Sequence, residues 1–185
     1  MPSFDNAVED FNARAQSRGW FCRVAPVGDF DRPELTAVHA LWCDKSAGAP
    51  MPARAALSAR VMKPWMPNMS LLERVAEGGR VRYRVRLHGS RLARYNGDKS
   101  GKFLDESISP IDAEAYAAVY DLIVATGRPL RLTIEYRVPQ ISFLTGESFV
   151  APLSRPESDT PLILSVTYTR PRRQAARAAA NIALR

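Results

Sequence analysis

The sequence predicts an α+β fold, one antiparallel sheet with helices packed on one face. Three observations carry this expectation. Val81, Tyr83, Val85 and Leu87 alternate with Arg80, Arg82, Arg84 and Arg86, the period of a strand with one buried and one solvated face. Three more alternating stretches follow within residues 130–168. Between them runs an apolar segment with helix start and stop signals, Ser109-Pro110 at one end and Gly127 then Pro129 at the other.

In chain order, Phe4, Val8 and Phe11 stand at helical spacing and predict a short helix over 4–17, ended by Gly19. Residues 20–32 read as loop or irregular strand. Pro33 suits a first helical position, and Leu35, Val38, Leu41 and Trp42 extend a helix over 33–44. The Ser46–Pro52 stretch breaks it, and Pro64 and Pro67 forbid one long helix over 53–67. Met69–Val75 reads as a strand, and 80–88 is the clearest one. Residues 90–107, punctuated by Gly97 and Gly101, read as short helical turns. In the helix that follows, Ser109 caps, Asp112 stands three residues on, and Tyr116, Val119, Tyr120, Ile123 and Val124 keep one face apolar. The last strands are marked by Leu130, Leu132, Ile134 and Tyr136, by Phe149, Ala151 and Leu153, and by Leu162, Leu164, Val166 and Tyr168. Turn residues between them suit antiparallel hairpins.

Size and composition bound the rest. The chain has 185 residues, 46% of them hydrophobic, enough for one domain with a real core. Two cysteines, Cys22 and Cys43, stand at no metal or redox spacing. No apolar run is long enough to span a membrane. Asp5, Glu9 and Asp10 near the start leave no apolar signal segment, so the expected compartment is the cytoplasm.

The net charge is +7, and five arginines with no acid lie from Arg170 to the end. Arg82, Arg84, Arg86, Arg172, Arg173 and Arg177 form the candidate basic patch, for nucleic acid or an acidic partner. A solvated strand face and a composition with 22 arginines to 4 lysines account for the same residues. Nucleic acid is therefore kept only as the alternative function.

No catalytic set is legible. His39 and His88 are the only histidines, neither has ligand spacing to Cys or carboxylate, and no nucleophile elbow or phosphate loop occurs. No metal is expected. An enzyme would need an acid such as Asp105 or Glu135 buried in a pocket with a raised pKa. The sheet residues Tyr83, Val85, Ile134, Tyr136, Phe149 and Val166 are expected to face Leu104, Tyr116 and Tyr120. They would either fill a dry core or surround a cavity for a small molecule oriented by tyrosine hydroxyls. Leu35, Val38, Trp42 and Trp65 are candidates for a subunit interface, with core packing as the other possibility.

The order of elements, and the segments ALWCDKSAGAPMPARAALS, RVRYRVRLHGSRLARYNGDKSGKFLDE, GRPLRL, ESFVAPLS and PLILSVTY, resemble the stand-alone PAS-like proteins of the alphaproteobacterial PAS subfamily. The resemblance covers 33–169, leaving 1–32 as an N-terminal extension and 170–185 as a basic Ala/Arg-rich tail. The chain departs from the family pattern at Leu87-His88-Gly89 and in a long 138–146 loop. The resemblance implies a five-stranded sheet and a non-catalytic sensory or regulatory role through ligand or protein contacts. It also implies a homodimer through the leading helix, and a separate signalling protein as output partner. Relatives with covalent flavin use a cysteine after the second strand, and haem-binding ones a histidine on the long helix. Residues 89–107 hold no cysteine and 109–126 no histidine, so neither cofactor is expected and any other is unknown.

Overall fold

The structure, a computed structural model, describes residues 3–136, Ser142 and 144–171. Its helices are α1 (Phe4–Arg18), α2 (Pro33–Ser46), α3 (Ala59–Met62), α4 (Ser90–Asn96) and α5 (Pro110–Thr126). Its strands are β1 (Cys22–Pro26), β2 (Met69–Glu77), β3 (Arg80–His88), β4 (Leu130–Glu135), β5 (Leu144–Arg155) and β6 (Ser158–Pro171). They form one antiparallel sheet in the order β1-β4-β5-β6-β2-β3. The fold class is the α+β one that the sequence predicts. Two details differ: the sheet has six strands rather than five, and the helices cover both faces rather than one.

The sixth strand is β1, within the stretch read as loop or irregular strand. Its burial alternates, with Cys22 and Val24 inside and Arg23 outside, over only five residues ending at Pro26. So short a run gives a weak period-two signal, and tertiary pairing decides it: Cys22 pairs with Ile134 and Val24 with Leu132. The outer edge of β1 is closed by α1. The Asn12 side chain donates to the Val24 carbonyl at 2.8 Å and accepts the Val24 N–H at 3.0 Å. One amide thus completes a residue whose backbone would otherwise face solvent unpaired.

The second face follows from the central strands. Along β5 and β6, Val150 and Ile163 join one core with α1, α5, Tyr83, Val85, Leu130, Leu132 and Ile134. Their neighbours Phe149, Ala151, Leu153, Leu162, Leu164 and Val166 join a separate core on the opposite face. The runs Phe149-Val150-Ala151 and Leu162-Ile163-Leu164 are apolar without a break, the pattern of strands buried on both sides. The peripheral strands β3 and β4 alternate cleanly because only one of their faces is covered.

Leu35, Val38 and Trp42 of α2 cover the second face, and with Leu57 and Met62 they are buried within the chain. The Trp42 indole N–H donates to the Pro152 carbonyl at 3.0 Å, and that of Trp65 to the Glu34 carbonyl at 2.9 Å. Of the proposed interface residues, Leu35, Val38 and Trp42 are therefore core of a single chain, while Trp65 packs half-buried at the margin of that core.

Two local constraints position the helices. Gly89 has ordinary helical-entry dihedrals, so what requires glycine is space. A Cβ there would lie on the Met66 carbonyl and 2.5 Å from that of Pro67. On the second face Glu147, 2% exposed, binds Arg131 at 2.6 Å and accepts the Asp31 N–H at 3.1 Å. Asp31 in turn pairs with Arg131 at 3.4 Å and Arg170 at 2.5 Å, which fastens the segment before α2 onto β4 and β6.

Two predictions follow from these constraints. Gly89→Ala forces α4 from the 66–68 turn and is expected to cost about 2 kcal/mol in urea unfolding. Glu147→Leu leaves Arg131 without its buried partner and is expected to cost about 3 kcal/mol. Adding Arg131→Met recovers most of that loss in the same measurement, because the pair is then replaced by apolar groups.

Candidate functional site

On the α5 side of the sheet a partly open cavity of about 80 Å³ lies between α4, α5 and strands β2, β3, β4 and β6. A wider groove of about 390 Å³ between α1 and α5 is shallow and open to solvent. The cavity has two chemically distinct parts. Leu72, Val85, Leu104, Ile108 and Ile134 line it together with the rings of Tyr116, Tyr120 and Tyr136. Ser70, His88, Asn96, Lys99, Ser165 and Thr167 complete it with polar groups.

The polar part arises from strand parity. On β6, Ile163, Ser165 and Thr167 share the face opposite Leu164 and Val166, so the polar alternate positions of a doubly buried strand line the cavity. Thr167 and Ser148 share a hydrogen bond of 2.8 Å. Ser165 and the Tyr116 and Tyr120 hydroxyls have no hydrogen-bond partner among the described residues. Tyr116 and Tyr120 stack with ring centroids 6.0 Å apart, and burial raises the pKa of both. Burial, then the nearby Tyr95, pushes Tyr136 up to about 12. The Tyr136 ring lies on Gly146 of β5, where a Cβ would come within 3.1 Å of its oxygen.

His88 connects β3 to α4. Its Nδ1 lies 3.0 Å from the Ser70 hydroxyl and its Nε2 3.1 Å from Asn96 Oδ1. An amide oxygen only accepts, which places the ring proton on Nε2 and leaves Nδ1 to accept from Ser70. Desolvation lowers the His88 pKa, in keeping with this neutral tautomer. Lys99, 7% exposed, donates from Nζ to the Asn96 carbonyl at 2.6 Å and to the Ser107 carbonyl at 3.2 Å. Desolvation, then Lys102, lowers its pKa.

Of the residues expected to face one another, Val85, Leu104, Tyr116, Tyr120, Ile134 and Tyr136 come together around the cavity. Tyr83 packs in the same core beside Tyr120, but its hydroxyl donates to Asp121 at 2.6 Å and it does not line the cavity. Phe149 and Val166 are on the other face, paired with each other across β5 and β6. Strand alternation alone does not say which apolar set faces which layer when both faces are buried. The polar lining was missed for the same reason, since Ser165 and Thr167 read as solvent positions. The available signal was their place beside an unbroken apolar run. Nothing in the sequence marks Lys99.

Two of the four arginines on β3, Arg82 and Arg86, are held by carboxylates. Arg82 binds Asp105 at 2.8 Å, Glu106 at 2.6 Å and Glu77 at 3.0 Å, and lies 3.8 Å from the Phe103 ring centroid. Its pKa is raised by the hydrogen bonds to Asp105 and then Glu106. Arg86 reaches Glu73, and Arg84 lies over Phe103. Arg172, Arg173 and Arg177 lie outside the described residues. Asp105 is held below its ordinary pKa by Arg82, the opposite of what a buried general acid requires. Among the described residues no group of three or more His, Cys, Asp or Glu side chains could hold a metal ion, and no helix is long and apolar enough to cross a membrane.

The described residues thus form an antiparallel sheet with helices on both faces and a cavity between the sheet, α4 and α5. Residues 30–167 match the family model of the PAS domain, and the chain belongs to that family. PAS domains are typically non-catalytic sensory modules and often mediate protein interactions and dimerisation. No curated protein matches the chain.

The two histidines set a pH dependence of stability. Both pKa values are lowered from 6.5, chiefly by desolvation, so the unfolded state binds protons more readily than the folded state. Their contribution is complete above pH 6.5 and is lost as pH falls from 6.5 toward the folded-state values. The depressed carboxyls of Glu73, Asp98 and Asp105 act in the same direction, but only below about pH 4.5. Thermal melts between pH 7.5 and about 5 should show Tm falling with pH in the parent chain. They should show little change in the His39→Gln/His88→Gln double variant.

Proposed function

We propose that this PAS domain, of the alphaproteobacterial type it resembles, is a non-catalytic sensor. A small molecule occupies the cavity between α4, α5 and the sheet, and occupancy alters contacts with a separate signalling protein. The observation that carries this reading is the group of hydroxyls without a partner among the described residues, Tyr116, Tyr120 and Ser165, on a partly apolar cavity. Core hydroxyls are almost always hydrogen-bonded, and those that are not mark a place for water or a ligand. The apolar half of the lining favours an organic occupant, because water there lacks polar partners. Residues 33–169 form the sensing unit in this reading. Nucleic-acid binding gains no support from β3, where carboxylates already hold Arg82 and Arg86.

Native and denaturing mass spectra of the freshly purified chain test the proposal. The expected result is an added mass in the native spectrum that disappears on denaturation. Ser165→Leu fills the cavity from β6 and should abolish that mass while the chain remains folded by circular dichroism. A native spectrum without added mass, in a chain that no small molecule stabilises thermally, would overturn the reading.

A further inference from the structure

Resting on the cavity reading above, we propose that the occupant is a short organic monocarboxylate, held at its carboxylate end by Lys99. Lysine is almost never buried without a partner, yet Lys99 is 7% exposed and no ion pair is formed by it among the described residues. An ammonium carries three donors, and the two carbonyl contacts of Lys99 use two of them. Carbonyl oxygens solvate the ammonium but leave its charge uncompensated. A buried cation of this kind gains most from an anion.

The rest of the lining agrees in sign. It contains no Asp or Glu, so a cationic ligand would meet Lys99 with nothing to offset it. Ser165 and the Tyr116 and Tyr120 hydroxyls supply donors without other partners among the described residues. His88 is committed as a neutral ring between Ser70 and Asn96 and brings no competing positive charge. The apolar half, Leu72, Leu104 and Ile134, excludes a purely inorganic anion as the best fit and takes a hydrocarbon tail. Size then limits the tail. The cavity of about 80 Å³ is smaller than one of about 150 Å³ that accommodates benzene, so an aliphatic acid of about two to four carbons fits better than a longer or aromatic one.

Lys99 also ties Asn96 at the end of α4 to Ser107, and a purely structural lysine would do only that. The test separates the two roles by titrating the full chain with sodium butanoate and, in parallel, with butanamide. Both titrations are followed by amide NMR shifts and by Tm. The expected result is saturable binding of butanoate, with shifts centred on β6 and α5, and butanamide weaker by about tenfold or more. Lys99→Met should lose butanoate affinity by a similar factor, and Ser165→Leu should lose it altogether. Should Lys99→Met fail to fold, the two probes on the parent chain still decide the question. Equal binding of butanamide overturns the carboxylate proposal and leaves the cavity reading standing. So does a neutral molecule released on denaturation from a chain that ignores butanoate. Butanoate binding that survives Ser165→Leu places it elsewhere and also overturns the proposal. A chain that binds neither probe and carries no native ligand loses both readings.

Discussion

Burial of β5 and β6 on both faces is the constraint on which the rest of this molecule depends. Their pairing runs from Leu144 with Pro171 to Arg155 with Ser158, and they form the middle of the sheet. Each face must then be covered separately. The face of Phe149, Ala151, Leu153, Leu162, Leu164 and Val166 packs its apolar side chains against α2, and its one buried carboxylate among the described residues, Glu147, is held by Arg131. The opposite face carries Ser148, Ser165 and Thr167 among Val150 and Ile163, so the helix over it cannot seal against hydrocarbon alone. A cavity with hydroxyls in its wall is the consequence of that difference between two sets of alternating positions on the same strands.

A sheet buried in its middle must still close its two edges. An open antiparallel edge invites further strands, and both edges here are closed by side chains or loops rather than by more sheet. On β1, Asn12 takes both backbone groups of Val24. On β3, the Gly101 N–H donates to the Val85 carbonyl at 2.7 Å, and the Val85 N–H donates to the Lys102 carbonyl at 2.9 Å. Arg82 fastens the following turn through Asp105 and Glu106. The arginine row is thus part of how the 99–107 segment is held against β3. Its ion pairs are largely solvent-exposed and individually weak, but they share one guanidinium and act on one turn.

How much of this was legible depends on how many faces an element buries. β3 and β4 have one covered face and alternate in sequence as in space. The helix at Pro110–Thr126 was legible from its termini, where Ser109 accepts the Asp112 N–H and Gly127 adopts a left-handed φ of 62°. β5 and β6 were legible as strands but not in orientation, which put Phe149 and Val166 on the wrong side. β1 was too short to declare itself and is fixed by pairing with β4. Trp42 looked suited to an interface because large apolar residues serve cores and interfaces alike, and only the covering of the second face shows that it is core. Lys99 lay beyond sequence reasoning altogether. Its burial comes from a loop path, and a single lysine between an aspartate and a serine has the local chemistry of any surface residue.

That loop path joins the cavity to the sheet edge. Gly97 and Gly101 have φ of 77° and 81°, values that residues with a side chain rarely adopt. They reverse the chain on either side of Asp98, Lys99 and Ser100. The Asp98 carboxylate accepts the Ser100 N–H at 2.9 Å, and the Ser100 hydroxyl accepts the His88 N–H at 3.1 Å. Lys99 is therefore turned inward by the same few residues that lock the loop to the end of β3. Its Nζ then bridges the end of α4 to the turn before α5. The one positive charge in the cavity wall and the closure of the β3 edge are two ends of one short, doubly hinged segment. The contacts of Lys99 and the pairing of Val85 with Gly101 and Lys102 therefore belong to the same short stretch of chain at the β3 edge.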